Sequence, residues 1–264
     1  MSRLQRVLRD FGSIAVVVVL LVGVTLLPPD TSLSEVRAAA TLKACVPPVY
    51  PPLVTGDADR PGIDVELLRE VARRIGVSLA LSENRAMGRD FNPRNWGLNR
   101  AQCQVIAGGM ADSLQTRSFL EIGPAYADTG WAVISPKPIE TLEGLNVGAL
   151  TLASGLDRIG LASFLRAEGA KARVVVSAEA LVIGLSDGTF DAGVTEAMLA
   201  TRLADEHGWT VAWASPDLAR YHLAFGLWKG DITLKHAIGQ SFAALVADGT
   251  LAAILDRYGV RPID

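Results

Sequence analysis

The sequence predicts an α/β protein of two modules, and three observations predict it. Strand-like and helical segments alternate from about residue 41 to the C-terminus, prolines at 136 and 138 interrupt the alternation, and 264 residues suit two domains of modest size. Leu42 to Val46 reads as the first strand and is followed by a proline-rich loop. A helix from about Asp64 to Ile75 comes next, with Leu67, Leu68, Val71 and Ile75 on one face. Val77 to Leu81 reads as the second strand, and a loop rich in Arg, Asn and Pro leads to a short helix near Trp96. Gln104 to Ala107 is an apolar run of strand type, and Gly108 and Gly109 after it let the backbone approach something closely. Such alternation implies a mainly parallel sheet covered by helices.

A second module follows Trp131. Trp131 to Ser135 is strand-like, and Leu145 to Leu150 starts a new sheet. Residues 151–155 (TLASG) sit where a helix begins, so Ser154 can cap it and its free N–H groups can hold an anion. Val174 to Val176 is a further strand, Ala178 to Leu185 a helix, and Phe190 to Thr195 a strand that ends at Glu196. His222 to Trp228 is a strand, and two helices finish the chain. One has Leu234, Ile238, Phe242, Leu245 and Val246 in phase, the other Leu251, Ile254, Leu255 and Tyr258.

Composition narrows the function. A net charge of -3 provides no basic field for nucleic acid, and the chain carries no zinc-finger, P-loop or dinucleotide glycine signature, so no cofactor and no nucleic-acid partner are expected. The first forty residues read as an address. Arg3, Arg6 and Arg9 precede an apolar run from Ile14 to Leu27, and Ala38-Ala39-Ala40 offers a small-residue cleavage site. Counted from Phe11, the run also approaches the ~17 to 25 residues of a spanning helix, so a signal peptide and an uncleaved membrane tether both fit. Either places the body of the protein outside the cytoplasm. There the two cysteines suggest a disulfide. Both Cys45 and Cys103 lie in strand-like contexts, and neighbouring parallel strands would bring their Cα atoms within the ~4.4 to 6.8 Å a bridge needs. They are far apart in sequence and have no further Cys or His at ligand spacing, which argues against a metal site.

Arg117 is the candidate binding residue with the clearest chemistry. It follows the third strand and the glycine pair, with the hydroxyls of Ser113 and Thr116 beside it, and a planar guanidinium makes paired hydrogen bonds to a carboxylate. The alternative is a solvated surface arginine. No Ser/His/Asp order suggests catalysis: His207, His222 and His236 fall at a helix end, in a strand and on a solvent-facing helix.

The chain resembles the bacterial extracellular solute-binding family 3. The matches run in order: residues 50–53 (YPPL) after the first strand, 62–67 (GIDVEL) opening the first helix, Gly109-Met110 up to Thr116-Arg117, and Pro124 to Tyr126. Residues 145–148, 188–192 (GTFDA), 227–231 (LWKGD) and 248–259 follow. The resemblance implies a two-lobed periplasmic binding protein type II fold, with a solute trapped between lobes joined by two crossing strands. The implied boundaries are 1–40 for the signal or anchor, 41–131 plus 228–264 for lobe 1, and 132–227 for lobe 2, with hinges at Trp131 to Ser135 and His222 to Trp228. It also implies Arg117 as the ligand-carboxylate partner, Ser154 as a second-lobe hydroxyl, Glu196 where amino-acid binders place an ammonium-binding aspartate, and Tyr50 as a covering ring. Gly109, Met110, Ser113 and Thr116 complete the implied ligand set.

Three departures bear on the ligand. The approach from Ser113 to Arg117 is one residue longer than the family's usual Thr-x-x-Arg, which leaves the hydroxyl donor open. Pro47 stands where some cationic amino-acid binders have an acid, and Glu196 adds a methylene. The insert from Asn84 to Trp96 is also unlike simple amino-acid binders; its Arg85, Arg89 and Arg94 are expected in water, while Trp96 suits either the cleft or the packing beneath the loop. The implied function is that of a monomeric, non-enzymatic carrier of a small carboxylate or amino acid to an ABC transporter permease. Two alternatives stand beside it. One is an accessory or sensory role for a periplasmic dehydrogenase or receptor, since a similar cysteine pair occurs in members associated with quinoprotein dehydrogenases. The other is a same-fold dehydratase with Glu196 as proton donor.

Overall fold

The computed structural model describes residues 12, 14–22, 29–87, 93–151, 156–260 and 263. Contacts divide the chain into two units, 1–31 and 32–264. In the first, residues 14–22 are helical and their apolar side chains are exposed. The rest of the predicted apolar run lies outside the described residues, and among those described no single helix is long and apolar enough to cross a membrane.

The second unit carries two five-stranded sheets of one topology. In lobe 1, β1 (Thr41–Val46), β2 (Ser78–Glu83), β3 (Val105–Ala111), β4 (Glu121–Thr129) and β10 (Tyr221–Leu227) run in the order β2-β1-β3-β10-β4. Lobe 2 repeats that order as β7-β6-β8-β5-β9, with β5 (Trp131–Ser135), β6 (Asn146–Leu150), β7 (Lys171–Val175), β8 (Ala192–Glu196) and β9 (Thr210–Trp213). In each sheet one strand, β10 or β5, runs against its neighbours. The sheets are therefore mainly parallel, as the alternation predicts.

The helices follow the apolar phases. In lobe 1, α2 (Ile63–Ile75) buries Leu67, Leu68, Val71 and Ile75 on one core with Leu234, Ile238, Phe242 and Leu245 of α7 (Ile232–Ala247) and Ile254 of α8 (Thr250–Arg257). Gly76 ends α2 in the left-handed conformation that lets its N–H reach the last carbonyls. Absent from the sequence reading are α3 (Leu114–Phe119), capped by Ser113, the nine-residue β4, strand β9 of lobe 2 and the helix over Ser32–Ala38. In lobe 2, α4 (Arg158–Ala167), α5 (Ala178–Ser186) and α6 (Ala197–His207) cover the sheet. The cap of α4 is Asp157, whose Oδ1 accepts from Gly160 N at 2.8 Å, so this helix begins later than residues 151–155 suggest.

The return crossing differs from the expected boundary. Strand β10, which the boundaries implied by the resemblance put in the second lobe and its hinge, pairs with β3 and β4 of lobe 1, because Tyr221 to Leu227 are hydrogen-bonded there along their length. The chain crosses instead at Gly130 and between Trp213 and Tyr221. The lobes are packed together: Met198 of α6 joins the lobe 1 core, and Ala111 of β3 joins a lobe 2 cluster.

Cys45 and Cys103 form a disulfide with Cα atoms 5.6 Å apart, tying β1 to the segment before its parallel neighbour β3. Trp96 packs against this bridge with Met110, Ile106 and Leu120, so it belongs to the packing beneath the loop. Asn84 Nδ2 donates to Trp96 O at 3.0 Å and closes the insert. Arg85 and Arg94 are exposed, and Arg89 lies outside the described residues.

The segment before β1 is part of the fold. Ser32–Ala38 forms helix α1, whose Val36 is 1% exposed in the lobe 1 core. The Ser32 hydroxyl accepts from Leu234 N at 3.2 Å and pairs with Thr233 Oγ1 at 3.0 Å, satisfying a free N–H at the start of α7. Asp231, at the N-cap of α7, makes no side-chain capping bond there. A chain cut after Ala40 would lose both the buried valine and this cap.

Candidate functional site

Where the lobes meet, Tyr50, Leu53, Gly109, Ala111 and Leu223 of lobe 1, with Thr129 at the end of β4, face Leu156 and Glu196 of lobe 2 around a small recess. The recess leaves no room for a water molecule. Glu196 ends β8 and is 3% exposed. Its Oε1 accepts from Met198 N at 3.0 Å and its Oε2 from Leu199 N at 3.1 Å, so the carboxylate caps α6 against the positive end of the helix. The Thr129 hydroxyl donates to Oε1 across the lobe boundary. Burial pushes the Glu196 carboxyl up, and these three hydrogen bonds restrain the rise.

A second acid lies behind the recess. Asp64, in the first turn of α2, has no exposed surface, and its Oδ2 accepts from Gly108 N at 2.6 Å and Gly109 N at 3.2 Å. Burial raises its pKa to about 6, with Tyr126 and the two N–H groups holding it back. The Tyr126 hydroxyl lies beside this carboxylate without reaching hydrogen-bond geometry, and Oδ1 has no hydrogen-bond partner among the described residues. Burial raises the phenol pKa of both Tyr126 and Tyr50, and the charges of Asp64 and Glu196 raise them further. Two acids and two phenols therefore share the lobe boundary.

The glycine pair explains how these groups come together. Gly109 has φ +81°, and a Cβ there would lie 2.8 Å from Leu53 Cδ1 and 2.9 Å from Tyr50 Cε1. Gly108 has φ +101° with the Pro47 ring pressed against it. Only a residue without a side chain lets β3 take this backbone and receive the loop from residues 47 to 53 so closely. The close approach that the glycines imply is thus made by the protein's own loop.

The structure brings Tyr50, Gly109 and Glu196 together and leaves the other described members of the predicted set elsewhere. Arg117 has a side chain 57% exposed and is held bidentate by Asp112, Nε to Oδ1 at 2.5 Å and Nη2 to Oδ2 at 2.7 Å. That hydrogen-bonded pair keeps the guanidinium pKa above its usual value. Ser113 and Thr116 are buried and serve α3: the Ser113 hydroxyl accepts from Thr116 N at 3.3 Å and lies 3.1 Å from Thr116 Oγ1. Met110 alternates away from Gly109 and Ala111 into the disulfide core. Ser154 lies outside the described residues. Thr129 and Asp64 were missed as site residues. Asp64 falls inside the 62–67 motif, which signalled a helix start and gave no sign that the carboxylate would reach across to β3.

Two lobes of shared topology closing on a buried recess define a periplasmic binding protein fold of type II, a likeness seen in solved structures. The chain belongs to the bacterial extracellular solute-binding proteins, family 3, whose model matches residues 42–261. An ancestral cationic amino acid solute-binding protein superposes with a TM-score of 0.71 at 18% identity, covering 86% of this chain and 99% of that one. A mutant of ArgBP from T. maritima gives 0.66 at 21% identity, covering 86% and 98%. A histidine-bound substrate-binding protein of an ABC uptake transporter from Streptococcus pneumoniae gives 0.67 at 18%, covering 87% and 96%. No curated protein matches the chain.

Proposed function

We propose that this protein is an extracytoplasmic receptor that captures a small amino-acid-type solute between its lobes and delivers it to an ABC permease. Family membership supports the class, and similar folds carry arginine or histidine. The observation that carries the reading is Glu196, an anion buried at the lobe boundary. A carboxylate offers about four acceptor positions. Thr129, Met198 and Leu199 take three, so an ammonium N–H has one left.

The solute carboxylate is assigned to Arg117. An exposed ion pair such as Arg117–Asp112 is worth roughly 0–1 kcal/mol, so a carboxylate desolvated by lobe closure competes well for the guanidinium. Because the closed recess has no free space, solute enters by separation and re-closure of the lobes. The test is a thermal-shift screen of amino acids, amines and organic acids. Zwitterions should give the largest shifts, reduced by Arg117→Ala and abolished by Glu196→Ala. Larger shifts from amines lacking a carboxylate would remove Arg117 from the site.

Maturation follows the same logic. We infer that the exported chain keeps α1, with residues upstream of Ser32 acting as tether or being removed alone. Intact-mass measurement of the protein recovered from cells should find Ser32 to Ala40 still attached; an N-terminus at Thr41 would sink this inference.

A further inference from the structure

A second, larger space lies between the lobes. Tyr126, Leu255, Tyr258 and Val260 line it from lobe 1, and Met198, Arg202 and Trp213 from lobe 2, with Arg220 on the segment that returns the chain to lobe 1. Its volume of about 350 Å³ falls within the range of small-molecule sites, which favour domain interfaces and pair apolar walls with a few polar groups.

We propose that this pocket binds an apolar monocarboxylate and that its ligand holds the two lobes together. Met198, Trp213, Leu255 and Val260 suit a hydrocarbon or aromatic body. Two arginines suit the acid. Arg202 Nη1 pairs with Glu206 at 2.5 Å, but its buried Nε–H finds no acceptor among the described residues. A buried donor left unmatched costs about 1–3 kcal/mol, and a ligand carboxylate accepts from it without breaking the Glu206 pair. The Arg220 guanidinium lies over the Trp213 ring, 4.2 Å from its centroid, adding positive charge at the same wall. Asp128, the one acid among the described lining residues, is paired with His222 at 2.6 Å. Since both lobes build the walls, a ligand here favours the joined arrangement over the separated one. This site shares no residue with the Glu196 recess, so it does not depend on the solute reading.

The test uses the full chain in detergent, with phenylacetate and hexanoate as acids and phenylacetamide as the uncharged control, read by melting temperature and tryptophan fluorescence. Both acids should raise the melting temperature and perturb the fluorescence, the amide should do neither, and Glu196→Gln should retain the response. Arg202→Met should abolish it. Arg202→Lys, which keeps the charge and lacks the Nε–H, should weaken acid binding at least tenfold and covers the case in which the methionine variant fails to fold. The proposal is overturned by no shift with either acid, by an equal shift with the amide, by a response that survives Arg202→Met, or by one that is lost in Glu196→Gln.

Discussion

The two spaces between the lobes differ in chemistry although strand β4 borders both and Glu196, the cap of α6, lines one while α6 itself lines the other. The recess at Glu196 is closed, lined by apolar side chains and one aromatic, and set against two buried acids. The pocket at Arg202 and Arg220 is open to a ligand-sized body and carries the cations. A helix explains part of the division: Glu196 caps the first turn of α6, while Arg202 lies a turn and a half further along the same helix. The boundary is acidic where the helix begins and basic beyond it. Under the two proposals above, one lobe boundary recognises an ammonium group in one place and a carboxylate in another.

Removing the acid should have the largest effect. Glu196→Ala uncaps α6 and leaves the Thr129 hydroxyl without its partner, so stability should fall by about 2–4 kcal/mol, a loss of roughly 5–15 °C in melting temperature. A smaller loss in calorimetry would mean that the carboxylate mainly awaits a ligand.

Acidity should separate the spaces next. Asp64 binds a proton more readily folded, at about 6, than unfolded, near 3.8. The folded state therefore holds more protons between these values, and stability rises as pH falls from 7 toward 4. The gain is on the order of 2–3 kcal/mol. Glu196, also raised, acts in the same direction. Asp64→Asn should flatten the melting-temperature profile over that window; an unchanged slope would place the titration outside the acidic cluster.

The Arg117 ion pair gives a smaller test. Asp112→Asn releases the guanidinium and should improve affinity for a carboxylate solute several-fold while changing stability by less than about 1 kcal/mol. Titration calorimetry showing unchanged or weaker affinity would argue against Arg117 as the anchor. The least effect is expected from Arg202→Met without any ligand. Its i,i+4 pair with Glu206 contributes about 0.3–0.5 kcal/mol, so an unliganded melting temperature displaced by more than 2–4 °C, roughly 1 kcal/mol, would point to a structural role for Arg202.

Most strands and helices were legible because apolar spacing is a local property: α2, α7 and α8 bury the phases their residues spell out. The cysteine pairing was legible because export and strand context restrict two thiols strongly. Strand β4 was not, since glycine and proline interrupt its pattern and only pairing with β10 makes it a strand. Tyr50, Gly109 and Glu196, named from the resemblance, line one recess. The sequence could not say that Arg117 would turn to an aspartate five residues away, or that Val36 would be buried in the lobe 1 core. Each of those outcomes is a choice among partners distant in the chain or competing at short range. Such choices depend on which groups packing brings together and how completely it removes them from water.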